Sequence, residues 1–231
     1  MALMSVDPRG FWEGKILRWE ADRYGPGAPG AGWLERLARR ASGSLRARQA
    51  AARAILRGQV AGRRLVELGC GSGLLAEDLV AAGAASYLGL DIATSAVESA
   101  RARTRGSPHA PRIRFEVADV SALAPLAADV VFSLGLFDWL TLAQIEKVFT
   151  AGGAADYLHA IAERRVSPAQ YAHRLYVFLS YGHRTGGYVP KYYAAATIAA
   201  LALPHNPRPA RVFRSPSISF GALVTTLPLP P

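Results

Sequence analysis

The chain has 231 residues, 51% of them hydrophobic, and a formal net charge of +10. Its length and apolar content allow one domain with a full core. No uninterrupted apolar stretch approaches the roughly twenty residues that span a bilayer, and the first residues lack a signal-peptide core, so we expect a soluble, cytoplasmic protein with no membrane partner. The single cysteine, Cys70, excludes an internal disulfide and a multi-cysteine zinc site.

The positive charge is concentrated towards the front of the chain, where residues 1–64 hold about half of the basic residues and fewer than a third of the acidic ones. Such an excess raises the question of a nucleic-acid partner. The arginines, however, are spread around predicted helices and are not grouped with aromatic residues. A solvated basic surface is therefore the preferred interpretation, and a nucleic-acid partner is disfavoured.

Residues 1–60 predict a helical accessory segment, which we separate from a main domain at 61–231. Asp7 followed by Pro8 is typical of a helix start. The apolar face of this first helix comprises Phe11, Trp12, Ile16 and Trp19. After a glycine- and proline-rich break at 25–30, two more helices are predicted at 33–41 and 44–57, with Gly58 as the stop signal.

From residue 64 to residue 149, predicted strands and helices alternate. This alternation indicates a parallel sheet with right-handed crossovers. The predicted helices are 74–82, 94–105 and 141–149, and the strands lie near 65–68, 87–90, 113–117 and 129–134. A fifth strand at 157–162, helices at 168–181 and 194–203, and a closing hairpin around Ser215-Pro216-Ser217 complete the chain.

The first strand ends in three alternating glycines, Gly69, Gly71 and Gly73, and a helix pattern follows at once. Glycine lets the backbone take positive φ and approach a ligand closely, and a helix start supplies free N–H groups there. A dinucleotide-binding loop would place its third glycine one residue later, where this chain has Leu74.

Acidic residues follow the next two strands. Asp91 ends the second strand about twenty residues past the glycines, where a ribose-binding acid is expected, because a carboxylate accepts hydrogen bonds from both ribose hydroxyls. Asp119 follows the third strand. An acid at a strand end is often only a cap or turn residue, but these two occur in order and at the expected spacing.

The glycine loop, preceded by Glu67, resembles the first motif of class I S-adenosylmethionine (SAM)-dependent methyltransferases. The resemblance implies a doubly wound α/β fold with a mostly parallel seven-stranded sheet, a closing antiparallel hairpin and an N-terminal helical lid. The alternative to a lid is an accessory layer in which Trp12, Trp19 and Trp33 are core residues. The resemblance also implies SAM as the cofactor and Asp119 as the partner of the adenine amino group. The remaining cofactor contacts that it implies are Ile92, Val120 and Ser133.

Candidates for the chemistry follow the later strands. Asp138 is a candidate contact to the cofactor or the acceptor, with a helix cap as the alternative. The aromatic, glycine-rich segment 181–193 is typical of a binding loop. In it, His183 is the candidate general base, with a solvated loop histidine as the alternative, and Tyr192 and Tyr193 can stack or donate hydrogen bonds. No metal-ligand spacing occurs, so no metal is expected.

The amine-methylating members of this family carry an Asn-Pro-Pro-Tyr-like motif after the fourth strand, and here the chain reads Ser133-Leu134-Gly135-Leu136. Its absence favours a small-molecule acceptor. Two alternatives remain open. One is a SAM-using enzyme of the same fold that cyclises SAM or transfers its aminocarboxypropyl group, releasing methylthioadenosine. The other is a basic RNA-associated module. The sequence gives no oligomeric state.

Overall fold

The computed structural model describes residues 7–24, 33–164, 170–171, 188–219 and 221–229. Seven strands in these ranges form one sheet in the order β3-β2-β1-β4-β5-β7-β6. The strands are β1 (Arg64–Leu68), β2 (Ser86–Asp91), β3 (Ile113–Val117), β4 (Val130–Leu134), β5 (Asp156–Ala162), β6 (Arg211–Phe213) and β7 (Gly221–Thr225). The helices among the described residues are α1 (Pro8–Glu13), α2 (Ile16–Tyr24), α3 (Trp33–Arg57), α4 (Ala76–Ala81), α5 (Thr94–Thr104), α6 (Leu142–Gly152) and α7 (Ala195–Ala202).

The sheet is parallel from β3 to β5, and β7 runs antiparallel to both of its neighbours. Leu65 in the centre of the sheet is paired with Tyr87 of β2 on one side and with Val130 of β4 on the other. The mostly parallel, doubly wound sheet and its closing hairpin are therefore confirmed.

The sheet separates two apolar clusters because alternate residues of each strand point to opposite faces. Leu65 belongs to the cluster that includes Leu56 of α3 and Leu79 of α4. Val66 belongs to the opposite cluster, which includes Ile145 of α6 and Ile198 of α7. The second half of α3 thus lies in the main core, while the division of the chain at residue 60 stays a prediction.

The N-terminal helices follow the predicted start but not every predicted boundary. Asp7 caps α1, since its carboxylate accepts from the backbone N–H groups of Arg9 and Gly10. The first helical segment is broken at Gly14, which separates α1 from α2. The two helices predicted between residues 33 and 57 were wrong: α3 is continuous through Gly43. A glycine inside a helix costs only about 1 kcal/mol, which the buried face of the helix offsets.

Most other boundaries shift by one to three residues, as helix ends commonly do. Helix α4 begins at Ala76 because the glycine loop continues as turns beyond Gly73. Thr141 is the N-cap of α6, in a capping box with Gln144. The helix predicted at 168–181 lies outside the described residues except for Gln170 and Tyr171, which are helical.

Candidate active site

The candidate site lies at the carboxyl ends of β1 and β4. The chain runs outward from β1 to β3 and then returns to β4 on the other side of β1. Ligands of open parallel sheets bind at such a reversal of strand order. The loops there contact each other, because a Cβ added to Gly69 would lie 3.3 Å from Cβ of Leu136, which follows β4.

The three glycines of the loop all have positive φ, with values of 67°, 53° and 69° for Gly69, Gly71 and Gly73. Their surroundings differ. A Cβ at Gly73 would lie 2.7 Å from Cζ of Phe115, so this glycine is needed for packing against β3. A Cβ at Gly71 would instead overlap the Glu20 carboxylate. Gly71 is therefore the glycine of the three that faces the N-terminal helices, and its contact with the cofactor stays a prediction.

Asp91 links the glycine loop to the end of β2. Its carboxylate accepts from the N–H groups of Gly71 and Ala93, each at 2.9 Å. Each carboxylate oxygen has a second acceptor position, so the side chain can still receive ribose hydroxyls. Burial raises the pKa of Asp91, and only 7% of the residue is exposed.

Glu67 adds a second buried carboxyl group beneath the loop. Burial raises its pKa to about 8, and the hydroxyl of Tyr87 donates a hydrogen bond to it. Glu20 and Asp91 add negative charge nearby and raise the Glu67 pKa further. Three acidic groups around a glycine loop favour a ligand with positive charge, such as the ammonium and sulfonium of SAM.

Asp119 lies at the end of β3 with an exposed side chain, as an adenine-binding acid requires. Its carboxylate accepts from the N–H of Ser121 at 2.8 Å and so caps the short 3-10 turn Val120–Ala122. Ile92 and Val120 are partly buried in the neighbouring loops. These positions fit the expected adenine pocket, and the individual assignments stay predictions.

Ser133 has a different environment from the other predicted cofactor contacts. It is fully buried in β4, and its hydroxyl is hydrogen-bonded to Nδ1 of His159 at 2.9 Å. Burial lowers the pKa of His159 to about 3, and the ring stacks on Phe137 with centroids 4.1 Å apart. The side chain of Ser133 is thus committed to a core pair, which leaves its backbone for the predicted cofactor contact.

Asp138 is buried between three elements. One carboxylate oxygen is 3.3 Å from a guanidinium nitrogen of Arg48 in α3, and the other accepts from the N–H of Ala162 at the end of β5. Burial raises the pKa of Asp138, and Arg48 partly opposes that rise. Asp138 does not cap α6, since Thr141 does. Its contacts join α3 to the ends of β4 and β5, whereas its predicted catalytic role is untested.

An aromatic cluster, comprising Phe11, Trp12, Trp139 and Tyr188, lies beyond the end of β4. Neighbouring ring centroids are 4.9 to 5.7 Å apart, and Trp12 Nε1 donates to the hydroxyl of Tyr188 at 3.3 Å. Lys191 lies beside the cluster and donates to the Trp139 carbonyl. The rings come from α1, from the loop after β4 and from the segment around residue 188, so the cluster connects the N-terminal helices to the site.

The predicted catalytic tyrosines lie at the edge of this region. The Tyr193 hydroxyl donates to the Leu140 carbonyl at 2.7 Å, and burial raises the pKa of Tyr193. Tyr192 is partly buried. His183, the predicted general base, lies outside the described residues.

The contacts that sequence analysis missed join distant parts of the chain. The Glu20 carboxylate accepts from the N–H of Ser72 in the glycine loop, and Glu13 accepts from the N–H groups of Thr94 and Ser95. Arg103 donates to the carbonyl and hydroxyl oxygens of Ser72. No local pattern distinguishes these residues or Arg48 from the chain's other charged helix residues.

The comparisons with known proteins agree with this geometry. Residues 65–153 match the sequence model of a family described as "Methyltransferase domain". This part of the chain is therefore similar in sequence to methyltransferase domains. Gly71, against which the Glu20 carboxylate lies, and the acidic groups around the loop fit the expectation of SAM as the cofactor. No curated protein sequence gives a significant match.

Solved structures share the fold at low identity. Magnesium protoporphyrin IX methyltransferase from Synechocystis PCC 6803, solved with bound S-adenosylhomocysteine (SAH), has 17% identity and a TM-score of 0.65, covering 94% of this chain and 96% of its own. The SAM-dependent methyltransferase SibL has 18% identity and a TM-score of 0.60, covering 94% of this chain and 69% of its own.

The described part of the chain has no helix long and apolar enough to cross a membrane. The same residues contain no group of three or more histidine, cysteine or acidic side chains arranged to hold a metal ion.

Proposed function

We propose that the protein transfers the methyl group of SAM to a small, planar, conjugated acceptor that binds against the aromatic cluster. The main support for this proposal is that the four rings of the aromatic cluster, from three separate parts of the chain, lie together beside the loop that follows β4. Aromatic side chains bury large apolar areas and prefer stacked or edge-to-face partners, so they select a flat ligand. Lys191 beside the rings favours an acceptor with an acidic group.

SAM would be held by the loops that surround Gly71. Asp91 would receive the ribose hydroxyls, and Asp119 the adenine amino group, with Ile92 and Val120 against the ring. The positive charge of the methionine end would lower the raised pKa of Glu67 and so favour its carboxylate form beneath the loop. Bound SAM supplies an activated methyl group on a sulfonium.

The chain's own contribution is positioning and exclusion of water. Methyl transfer needs the acceptor atom in line with the methyl group at about 3 Å, and no obligatory covalent participant. The aromatic cluster would hold the acceptor and present ring faces to the sulfonium cation. His183 stays the proposed base for acceptors that carry a proton, because the Tyr193 hydroxyl is already used as a donor.

The pairing of the basic residues supports a small-molecule acceptor over RNA. Several arginines of the described chain are in ion pairs. Arg53 and Arg57 contact Asp78, Arg63 and Arg208 contact Asp156, Arg64 contacts Asp129, and Arg214 contacts Glu163. Each such pair reduces the positive potential that a phosphate backbone would meet.

A second candidate is favoured by the tight contact among the rings. The four rings pack on one another, which leaves less room between them for an acceptor. A closed aromatic site suits cleavage or cyclisation of SAM itself, with release of methylthioadenosine. The two candidates differ in their products and not in the cofactor.

The test is product analysis by mass spectrometry. The full chain is incubated with SAM alone, and then with SAM and a panel of planar aromatic acids, using aliphatic acids and amines as the contrast set. SAH together with a methylated aromatic acid supports the proposal. Methylthioadenosine formed without an acceptor supports the second candidate, and methylation confined to the aliphatic set contradicts the proposed acceptor class.

A matched pair of variants tests the role of the aromatic cluster. Trp139→Ala should raise the acceptor KM by about tenfold or more, because a buried aromatic contact is lost, while the Kd for SAM stays within about twofold. Leu203→Ala removes a 61% exposed side chain outside the cluster and is the control. An unchanged acceptor KM in Trp139→Ala would remove the cluster from the acceptor site.

A further inference from the structure

Helix α2 places a carboxylate on the glycine loop itself. The N–H of Ser72 donates to both carboxylate oxygens of Glu20, at 3.1 and 3.3 Å. One of those oxygens fills the space in which a Gly71 side chain would lie. Among the contacts of the three loop glycines, this one alone involves a residue from the N-terminal helices. Glu20 therefore occupies the surface of the loop that faces a ligand.

A second carboxylate holds the same N-terminal segment at the neighbouring loop. Glu13 accepts from the N–H groups of Thr94 and Ser95 at 2.7 and 2.8 Å, and the Ser95 hydroxyl donates to the Glu13 carbonyl. These N–H groups belong to the first turn of α5, which has no intrahelical partners for them. Residues 7–24 are thus tied to the loops after both β1 and β2.

The contacts of Glu20 and Glu13 hold the segment 7–24 over the predicted cofactor site. Asp91 is 7% exposed and Glu67 is 4% exposed, although both lie at the carboxyl edge of the sheet where the cofactor binds. Glu13 lies close enough to Asp91 to raise its pKa, and Glu20 lies against Gly71. For SAM to contact the Gly71 backbone, the Glu20 carboxylate would therefore have to move.

The Glu20 contact also brings like charges together. Burial and the proximity of Asp91 raise the pKa of Glu20, and Glu20 in turn raises the pKa of Glu67. Such repulsion weakens the closed arrangement relative to one in which a cationic ligand separates the carboxylates. The contact between Glu20 and the glycine loop is therefore suited to break when a cationic ligand binds.

We propose that Glu20 is an internal competitor of SAM, which holds the cofactor-free enzyme closed by occupying the Gly71–Ser72 backbone. SAM displaces the carboxylate, and α2 moves away from the loop with it. The affinity for SAM is then reduced by the fraction of the protein that is closed. This inference rests on the assignment of the cofactor to the glycine loop and does not depend on the acceptor.

The test is calorimetric titration of the full chain with SAM and with SAH. Glu20→Ala should lower both Kd values by about tenfold, because the closed fraction falls. Alanine is a strong helix former, so α2 is retained. Glu98→Ala on the exposed face of α5 is the matched control and should leave both Kd values unchanged. An equal or higher Kd for Glu20→Ala overturns the proposal, and a higher one makes Glu20 a cofactor ligand.

Amide hydrogen exchange of the cofactor-free protein tests the closed contact without any binding. Glu20→Ala should raise the exchange rate at Ser72 by about tenfold, while Glu98→Ala leaves it unchanged. Unchanged exchange at Ser72 overturns the internal competitor. If exchange rises at Ser72 in Glu20→Ala but neither the wild type nor the variant binds SAM, the assignment of the cofactor is wrong while the contact of Glu20 with the glycine loop is supported.

Discussion

The buried pair of Arg48 and Asp138 gives a prediction that distinguishes a structural role of Asp138 from a catalytic one. Asp138→Ala removes the carboxylate that faces Arg48, of which only 5% is exposed, and the acceptor of the Ala162 N–H. Removing one partner of a buried ion pair costs about 3–5 kcal/mol, since the other charge stays buried and unpaired. We therefore expect Asp138→Ala to lower the free energy of unfolding by about 3–5 kcal/mol. Asp138→Asn keeps an acceptor for Ala162 and should cost less.

Urea unfolding of the wild type, Asp138→Ala, Arg48→Met and the double variant forms a complete double-mutant cycle. The double variant should lose less than the sum of the single variants, because it leaves neither charge unpaired. Turnover is measured without urea, at a temperature at which all four proteins are folded. A loss in Asp138→Ala below about 1 kcal/mol, combined with lost methyl transfer, would refute the structural reasoning and support the predicted catalytic role.

Three further predictions concern the core, the loop and the base. His159 has a pKa of about 3 against an ordinary 6.5, so its contribution to stability is complete above pH 6.5 and is lost as the pH falls towards 3. Between pH 7.5 and pH 5, the wild type should therefore lose about 2 kcal/mol relative to Ser133→Ala/His159→Phe; parallel unfolding curves would contradict a buried neutral histidine. Gly73→Ala should lower the free energy of unfolding by about 2–4 kcal/mol, because the added Cβ clashes with Phe115. Gly153→Ala should cost less, since Gly153 also has a positive φ but an added Cβ there meets no atom within 4 Å. Equal losses in thermal unfolding would assign the effect to the positive φ alone. His183→Gln should keep the Kd for SAM and lower kcat, and full activity would remove His183 as the base.

The sequence predicted the parts of the site that lie close together along the chain. The glycine loop, Asp91 and Asp119 each follow a strand, and parallel strands bring their carboxyl ends to one edge of the sheet. The alternation of apolar residues was also sufficient to predict the order of strands and helices up to β4. Local spacing and a single topological rule therefore placed the glycine loop, Asp91 and Asp119 at one edge of the sheet, while their contacts with the cofactor stay predictions.

Contacts between distant segments could not be predicted in the same way. Glu20 and Arg48 lie on helices that carry several other charged residues, and only the packing of α2 and α3 brings them to Ser72 and Asp138. Ser133 was assigned from its place at a strand end, whereas its hydroxyl points into the core towards His159. The direction of a side chain at a strand end depends on register, which the sequence alone does not determine.

The central claim, that SAM binds between the glycine loop and the end of β2, is tested most directly by one titration series. Calorimetry with SAM should give saturable one-site binding for the wild type, and Asp91→Asn should raise the Kd at least about tenfold, because charged hydrogen bonds to ribose are lost. Asp129→Asn lies at the opposite edge of the sheet, paired with Arg64, and should bind as the wild type does. An unchanged Kd for Asp91→Asn, or an equal loss in Asp129→Asn, would contradict the placement of the cofactor.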